Sequence, residues 1–337
     1  MPDNTVKARL LARGLRSAQG SIRYLNPVRP SAARGLVAQV YQQVESDYGF
    51  LAPPITLHSP APEVMAASWL MLRETLLASG RADRVVKEAI ASAVSEANTC
   101  PYCVEVHDAT RQSIDGAYDA DAVRAWVRGG PRPFPDDQLE ECVGVAVTFE
   151  YVNRMNNVFL PESPIPARVP GIARNRARRT LGRVAAGGNG TIEPGGSLGL
   201  LPDAYLPEDF LWSSGHTTIA HAFARATAVI DPAGARSLPP NVRQLVHTRV
   251  CGDPLEVSLS RSWVDHAVAE LPAGDRAVAK LALLTALASY QVDADVIASA
   301  RRACADDAAI IELTAWASLT AARRTAHRYL TAGRRSL

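Results

Sequence analysis

The sequence predicts an all-α protein made of two tandem helical domains. Three observations carry this. Apolar residues recur at helical spacing along most of the chain, and no period-two alternation persists anywhere. The apolar fraction, 47% of 337 residues, comes from Ala, Leu and Val, while aromatics make up only 6%. Ala is the strongest helix former.

The elements follow in order. Residues 31–50 place Leu36, Val37, Val40, Tyr41 and Val44 on one helical face, ending near Gly49. The run APPITLHSP is a proline-broken connection. A second helix occupies PEVMAASWLMLRETLLASG, with Pro62 near its start and Gly80 past its end. A third runs from about Arg81 to Asn98, with the stripe Val86, Ile90, Ala93, Val94 and Ala97. Asn98 or Thr99 is expected to cap the next helix, with Pro101 in its first turn. A short helix, DADAVRAWV, ends at Gly129-Gly130, and a long one follows Asp136 and Asp137 to about Leu160.

Residues 163–205 are rich in Pro, Gly and Arg and read as a linker between domains at 1–162 and 206–337. The linker's Arg174, Arg176, Arg178, Arg179 and Arg183 could bind phosphate or nucleic acid. Such a run is more often a solvated or partner-facing segment, so no nucleic-acid partner is expected. The second domain carries a weak repeat of the first. Ser68-Trp69 is echoed by Ser262-Trp263, and the long helix after Asp136 by the helix from Asp306. In this alignment Lys280 falls on Glu88, and Val292, Asp295 and Ser299 fall near Cys100, Cys103 and His107.

The net charge of +2 argues for neither a nucleic-acid nor a membrane surface. The first twenty residues lack the apolar core of a secretion signal, and no run is long enough to span a membrane. A reducing cytoplasm is the expected location. The five cysteines are one tight pair and three scattered residues, which is no secreted disulfide framework. Cys142, Cys251 and Cys304 read as small core or half-buried hydrophobes. His216, His221, His247, His266 and His327 read mostly as surface or cap residues.

The sharp signal is Cys100-Pro-Tyr-Cys103-Val-Glu-Val-His107. Residues three and four apart share a helical face, so these three side chains form one stripe. An i, i+3 pair lies within disulfide reach, and a helix N-terminus favours thiolate over thiol. His107 is placed to take a thiol proton directly or through water. A two-thiol redox cycle needs this set: one thiolate attacks a peroxide and becomes a sulfenic acid, and the second thiol closes the disulfide. An external dithiol then restores both thiols. Two other readings compete. CxxC with His107 supplies three metal ligands, with Asp108 or Glu105 as a fourth, but structural zinc takes a second Cys/His pair and none lies nearby. The cysteines could also simply be buried on a core helix.

With its flanks, KEAIASAVSEANTCPYCVEVHDA resembles the signature of the alkylhydroperoxidase D-like family, within the carboxymuconolactone decarboxylase superfamily. The matching elements are Glu88, Cys100, Cys103 and His107, and the resemblance covers roughly residues 35–160. It implies an all-α alkylhydroperoxidase-like fold, homo-oligomeric assembly and no cofactor or metal. It also implies roles: Cys103 peroxidatic, Cys100 resolving, Glu88 and His107 a proton relay. Without the resemblance Glu88 is a solvated-face residue, since it projects opposite its helix's apolar stripe. The implied substrate is a small organic hydroperoxide, and the implied reductant a lipoylated or thioredoxin-like dithiol protein. Some relatives carry a histidine between the cysteines, where this chain has Tyr102. The second domain, lacking CxxC, reads as a degenerate copy that supplies the packing surface of a second subunit. Alternatives are a general thiol–disulfide oxidoreductase, a redox sensor, and a lactone decarboxylase, which needs no CxxC.

Overall fold

The computed structural model describes residues 20–186, 191–252 and 257–333. Residues 1–19, where a secretion signal would lie, are outside them. The fold is all-α, with no strand among the described residues. No helix among them is long and apolar enough to cross a membrane.

Six helices of eight residues or more make up the first half among the described residues. They are α1 (Gly35–Tyr48), α2 (Pro62–Leu72), α3 (Arg84–Ala97), α4 (Pro101–Arg111), α5 (Ala120–Val127) and α6 (Leu139–Phe159). Gly49 closes α1 with φ 86°, the left-handed cap that glycine adopts without steric cost. Helix α3 packs against α4, α5 and α6 at once. It tolerates this because Ala89, Ala91, Ser92, Ala93 and Ser95 are small, and all are buried beside Ile90 and Val94. The single apolar stripe expected for this helix is therefore too narrow a description. Ala97 is exposed, while Lys87 and Glu88 are inside.

The 163–205 stretch is more than a connector. Within it Gly171–Ala186 forms α7, which packs on α4 and buries Leu181, Gly182 and Ala185. Gly182 is required there, because a Cβ at this position would lie 2.1 Å from the Ala109 carbonyl oxygen.

The second half contains α8 (Thr217–Ser237), α9 (Pro240–Cys251), α10 (Ser262–Val268), α11 (Arg276–Ala288), α12 (Ala294–Arg301) and α13 (Asp307–Thr331). Helix α13 lies along α6, and α8 lies against α2. The α3–α5 and α3–α6 packing pairs reappear as α11–α12 and α11–α13. The α12 N-cap, Asp293, accepts from the amides of Asp295 and Val296, as Asp119 at α5 accepts from Asp121 and Ala122. Helix α12 therefore corresponds to α5, and nothing between α11 and α13 corresponds to α4. This corrects the alignment of Cys100, Cys103 and His107 onto Val292, Asp295 and Ser299: the whole helix is missing.

The halves are tied by polar contacts as well as by apolar packing. Buried Glu150 on α6 accepts from Tyr329 Oη at 2.5 Å and from Arg328 at 3.0 Å. Among the scattered cysteines, Cys142 is buried and Cys304 half-buried. Cys251 is exposed at the end of α9, which corrects its expected burial. His216 caps α8, while His221, His247, His266 and His327 are exposed.

Candidate active site

Helices α3 and α4 form an antiparallel hairpin, and its register builds the site. The chain reverses through Asn98 and Thr99, the latter with φ 51°. Cys100 N then donates to Ser95 O at 2.9 Å. Two helical turns further along each helix, that register sets His107 opposite Glu88. Neither expected residue caps α4. Cys100 itself is the N-cap, Pro101 follows it, and Cys103 lies in the first turn. The Asn98 amide is used elsewhere, donating to Glu150 at 2.9 Å.

The structure brings the four sequence-selected residues into one buried line. Cys100 Sγ donates to Cys103 Sγ at 2.7 Å, and both are free thiols. His107 Nδ1 lies 2.6 Å from Glu88 Oε2. The other carboxylate oxygen, Oε1, accepts from Arg84 Nη2 at 2.6 Å. Nδ1 is thus committed to Glu88, which leaves Nε2 as the nitrogen able to exchange a proton. Phe149 holds the imidazole edge-on, with ring centroids 4.6 Å apart.

Three contributors were missed in the sequence. Arg84 stands i, i+4 before Glu88, a spacing that marks a helical ion pair. Asn156 Nδ2 donates to Cys103 Sγ at 3.1 Å, and Asn153 Nδ2 donates to Ser95 Oγ at 2.9 Å. Asn153 and Asn156, three residues apart and so on one face of α6, were the available signal.

The electrostatics separate the two sulfurs. Burial pushes the Cys103 thiol up, but the bond from Cys100, the charge of His107 and the amides of Asn156 and Asn153 outweigh it, bringing it to about 7. Its place at the helix N-terminus acts in the same sense. Cys100 goes well above its ordinary value, first through burial and then through the neighbouring Cys103. Burial pushes Glu88 up as well, but Arg84 and His107 hold it below the ordinary carboxylate value. Tyr102 is pushed far up, chiefly by burial, so it is a neutral part of the cavity wall that Cys103 also lines.

The sulfurs face different spaces. Cys103, His107 and Asn156 line a cavity of about 1020 Å³ whose other walls are largely apolar and which α7 covers. Cys100 lines a separate groove of about 620 Å³, with Glu105, Asp108, Arg174 and Arg178. Arg174 bonds Ser163 Oγ at 2.6 Å and pairs with Glu105 at 3.3 Å, fixing α7 to α4. Of the arginine run expected to be solvated or partner-facing, Arg176 and Arg179 line the cavity, Arg174 and Arg178 line the groove, and Arg183 is exposed. Among the described residues no group of three or more His, Cys, Asp or Glu side chains is placed to hold a metal ion.

A curated protein of Mycobacterium tuberculosis, alkyl hydroperoxide reductase, is 35% identical over 328 residues, covering 90% of this chain and 93% of its own. The chain belongs to the alkylhydroperoxidase D-like family. It is an alkyl hydroperoxidase-like enzyme. The similarity spans both halves, so the second half and α7 belong to a chain plan that this family member shares with that relative. No family model matches the sequence, and no solved structure matches the fold.

Proposed function

We propose that the enzyme is a thiol peroxidase that reduces organic hydroperoxides through Cys103 and Cys100. The observation that supports this best is the asymmetry of the pair. The low-lying thiol, Cys103, faces a largely apolar cavity, and the high-lying one, Cys100, sits 2.7 Å behind it. In the first step the Cys103 thiolate attacks the terminal oxygen of ROOH. The O–O bond breaks, the sulfur becomes Cys–SOH, and RO⁻ leaves as ROH with a proton delivered through His107. Cys100 then attacks the sulfenic sulfur, forming the disulfide and releasing water. The sum is ROOH + 2 RSH → ROH + RSSR + H₂O, with both thiols oxidised and the peroxide reduced.

Reduction needs an external dithiol, of the lipoylated or thioredoxin-like kind. It attacks from the Cys100 groove and leaves the cavity to the oxidant. The 206–337 half takes the place of a second subunit along α6, with Tyr329 and Arg328 closing over Glu150. Homo-oligomers of this two-domain chain would then add to an interface already made within it.

The test is peroxide consumption by the purified chain with a dithiol reductant, with free thiols counted before and after one equivalent of oxidant. Turnover with loss of two thiols per peroxide is expected. Turnover that survives Cys103→Ser would overturn the reading. Dithiol oxidation with no peroxide dependence would favour a general thiol–disulfide oxidoreductase.

A further inference from the structure

The cavity over Cys103 is far larger than a small peroxide requires. At ~30 Å³ per water it would hold about thirty waters, and it lies at the top of the ~300–1,000 Å³ range of ligand pockets. Its floor and walls are Phe149, Val152, Val106, Ile165 and a rim of prolines. Its charge is one-sided. Apart from His107, the charged side chains lining it are Arg176 and Arg179, and no carboxylate lines it.

Both arginines lie on the exposed side of α7, next to Ile172, which is 91% exposed. Neither has an ion-pair or hydrogen-bond partner among the described residues, whereas Arg174 on the same helix is paired with Glu105. The site therefore grades from a buried thiol, through an apolar chamber, to an uncompensated cationic mouth.

We propose that the physiological oxidant is the hydroperoxide of a long-chain carboxylate, a fatty-acid hydroperoxide. Its carboxylate sits on Arg176 and Arg179, and its chain fills the chamber so that the –OOH group reaches Cys103. Arginine suits this role because its planar fork matches a carboxylate and keeps its charge. The apolar wall takes the chain out of water. The chemistry is that given above, with the hydroxy acid as product, so the proposal rests on the peroxidase reading and deepens it.

The experiment compares three oxidants with the full chain and a dithiol reductant: linoleic acid hydroperoxide, its methyl ester, and tert-butyl hydroperoxide. Wild type should favour the acid over the ester by tenfold or more in kcat/KM. The Arg176→Gln/Arg179→Gln double variant should bring that ratio close to one, mainly through KM for the acid. Equal kcat/KM for acid and ester in wild type would overturn the proposal, and so would an unchanged ratio in the double variant. Displacement of a fluorescent fatty acid by linoleate provides a readout without turnover. It should be saturable, and tenfold weaker in the double variant. Turnover of tert-butyl hydroperoxide without linoleate binding would sink this inference and leave the peroxidase reading intact. Linoleate binding without turnover of any hydroperoxide would sink the peroxidase reading and keep the ligand class.

Discussion

Glu88 Oε2 stands 2.6 Å from His107 Nδ1, across the α3–α4 hairpin, with the carboxylate wholly out of solvent. A buried carboxylate persists as an anion only where cations and donors repay its desolvation. Arg84 and His107 do so here, and they hold it below the ordinary carboxylate value against burial. The pair thus fixes the ring and places a positive charge near Cys103.

Glu88→Gln keeps the shape and removes the charge. The His107 ring loses its charged partner, and the thiolate loses part of the field that brings Cys103 to about 7. One unit of upward shift corresponds to about 1.4 kcal/mol and, starting from about 7, lowers the thiolate fraction at pH 7 roughly fivefold. Thiol alkylation followed against pH should show the midpoint moving up. His107→Ala should move it further. An unmoved midpoint in both variants would remove the relay from the mechanism.

The two cysteines should fail differently. Cys103→Ser removes the nucleophile and all peroxide consumption. Cys100→Ser leaves a competent first step with no resolving thiol, so one equivalent of ROOH is consumed and a sulfenic acid persists. Trapping by a sulfenate-specific reagent, read by mass spectrometry, separates the two. A trapped sulfenate on Cys100 in the Cys103→Ser chain would reverse the assignment.

Much of this was legible in the sequence, and the gaps have physical causes. The stripe Cys100, Cys103, His107 needs only helical spacing, and the structure places those residues together. Glu88 misleads pattern reading because α3 is buried nearly all round: its small residues let neighbours approach from every side, so no polar face exists to assign. Helix α7 hides in a Pro/Gly/Arg-rich composition, since Leu181, Gly182 and Ala185 are the residues it buries. The repeat was visible through its helices, but the missing counterpart of α4 was not, because Ala-rich helices align in several registers. The cap at Asp293, set against Asp119, resolves that register.

Acid sensitivity should begin well above the carboxylate range. His58 is buried, with Nε2 2.9 Å from Tyr151 Oη, and burial lowers it from 6.5 to about 3. The unfolded chain binds a proton at this residue below pH 6.5, and the folded chain does so only near pH 3. Its contribution is therefore fully present above pH 6.5 and is lost as pH falls toward 3. The slope is about 1.4 kcal/mol per pH unit once the unfolded residue is protonated. Urea unfolding between pH 7 and 4 should show this decline in wild type, and His58→Gln should flatten its upper part. Parallel slopes in the two proteins would place the acid loss elsewhere.

Gly182 tests whether α7 is a working wall of the site. A Cβ there meets Ala109 O at 2.1 Å, and backbone on the site helix cannot swing aside as a flexible side chain would. Gly182→Ala must therefore lift α7 from α4. Overpacking of this kind costs about 1–3 kcal/mol. The gain in helix propensity recovers at most about 1 kcal/mol. Lifting α7 also widens the cavity roof, because Ala177, Thr180 and Leu181 line it from the same helix. The expected result is a lower thermal midpoint together with a severalfold higher KM for a long-chain hydroperoxide. Alkylation of Cys103 should keep its wild-type pH midpoint, since Glu88, His107 and Asn156 lie on other helices. If the thermal midpoint falls while long-chain KM holds, α7 braces the fold without shaping the chamber. If the pH midpoint moves as well, the α7–α4 contact reaches through Ala109 into the thiol pair itself.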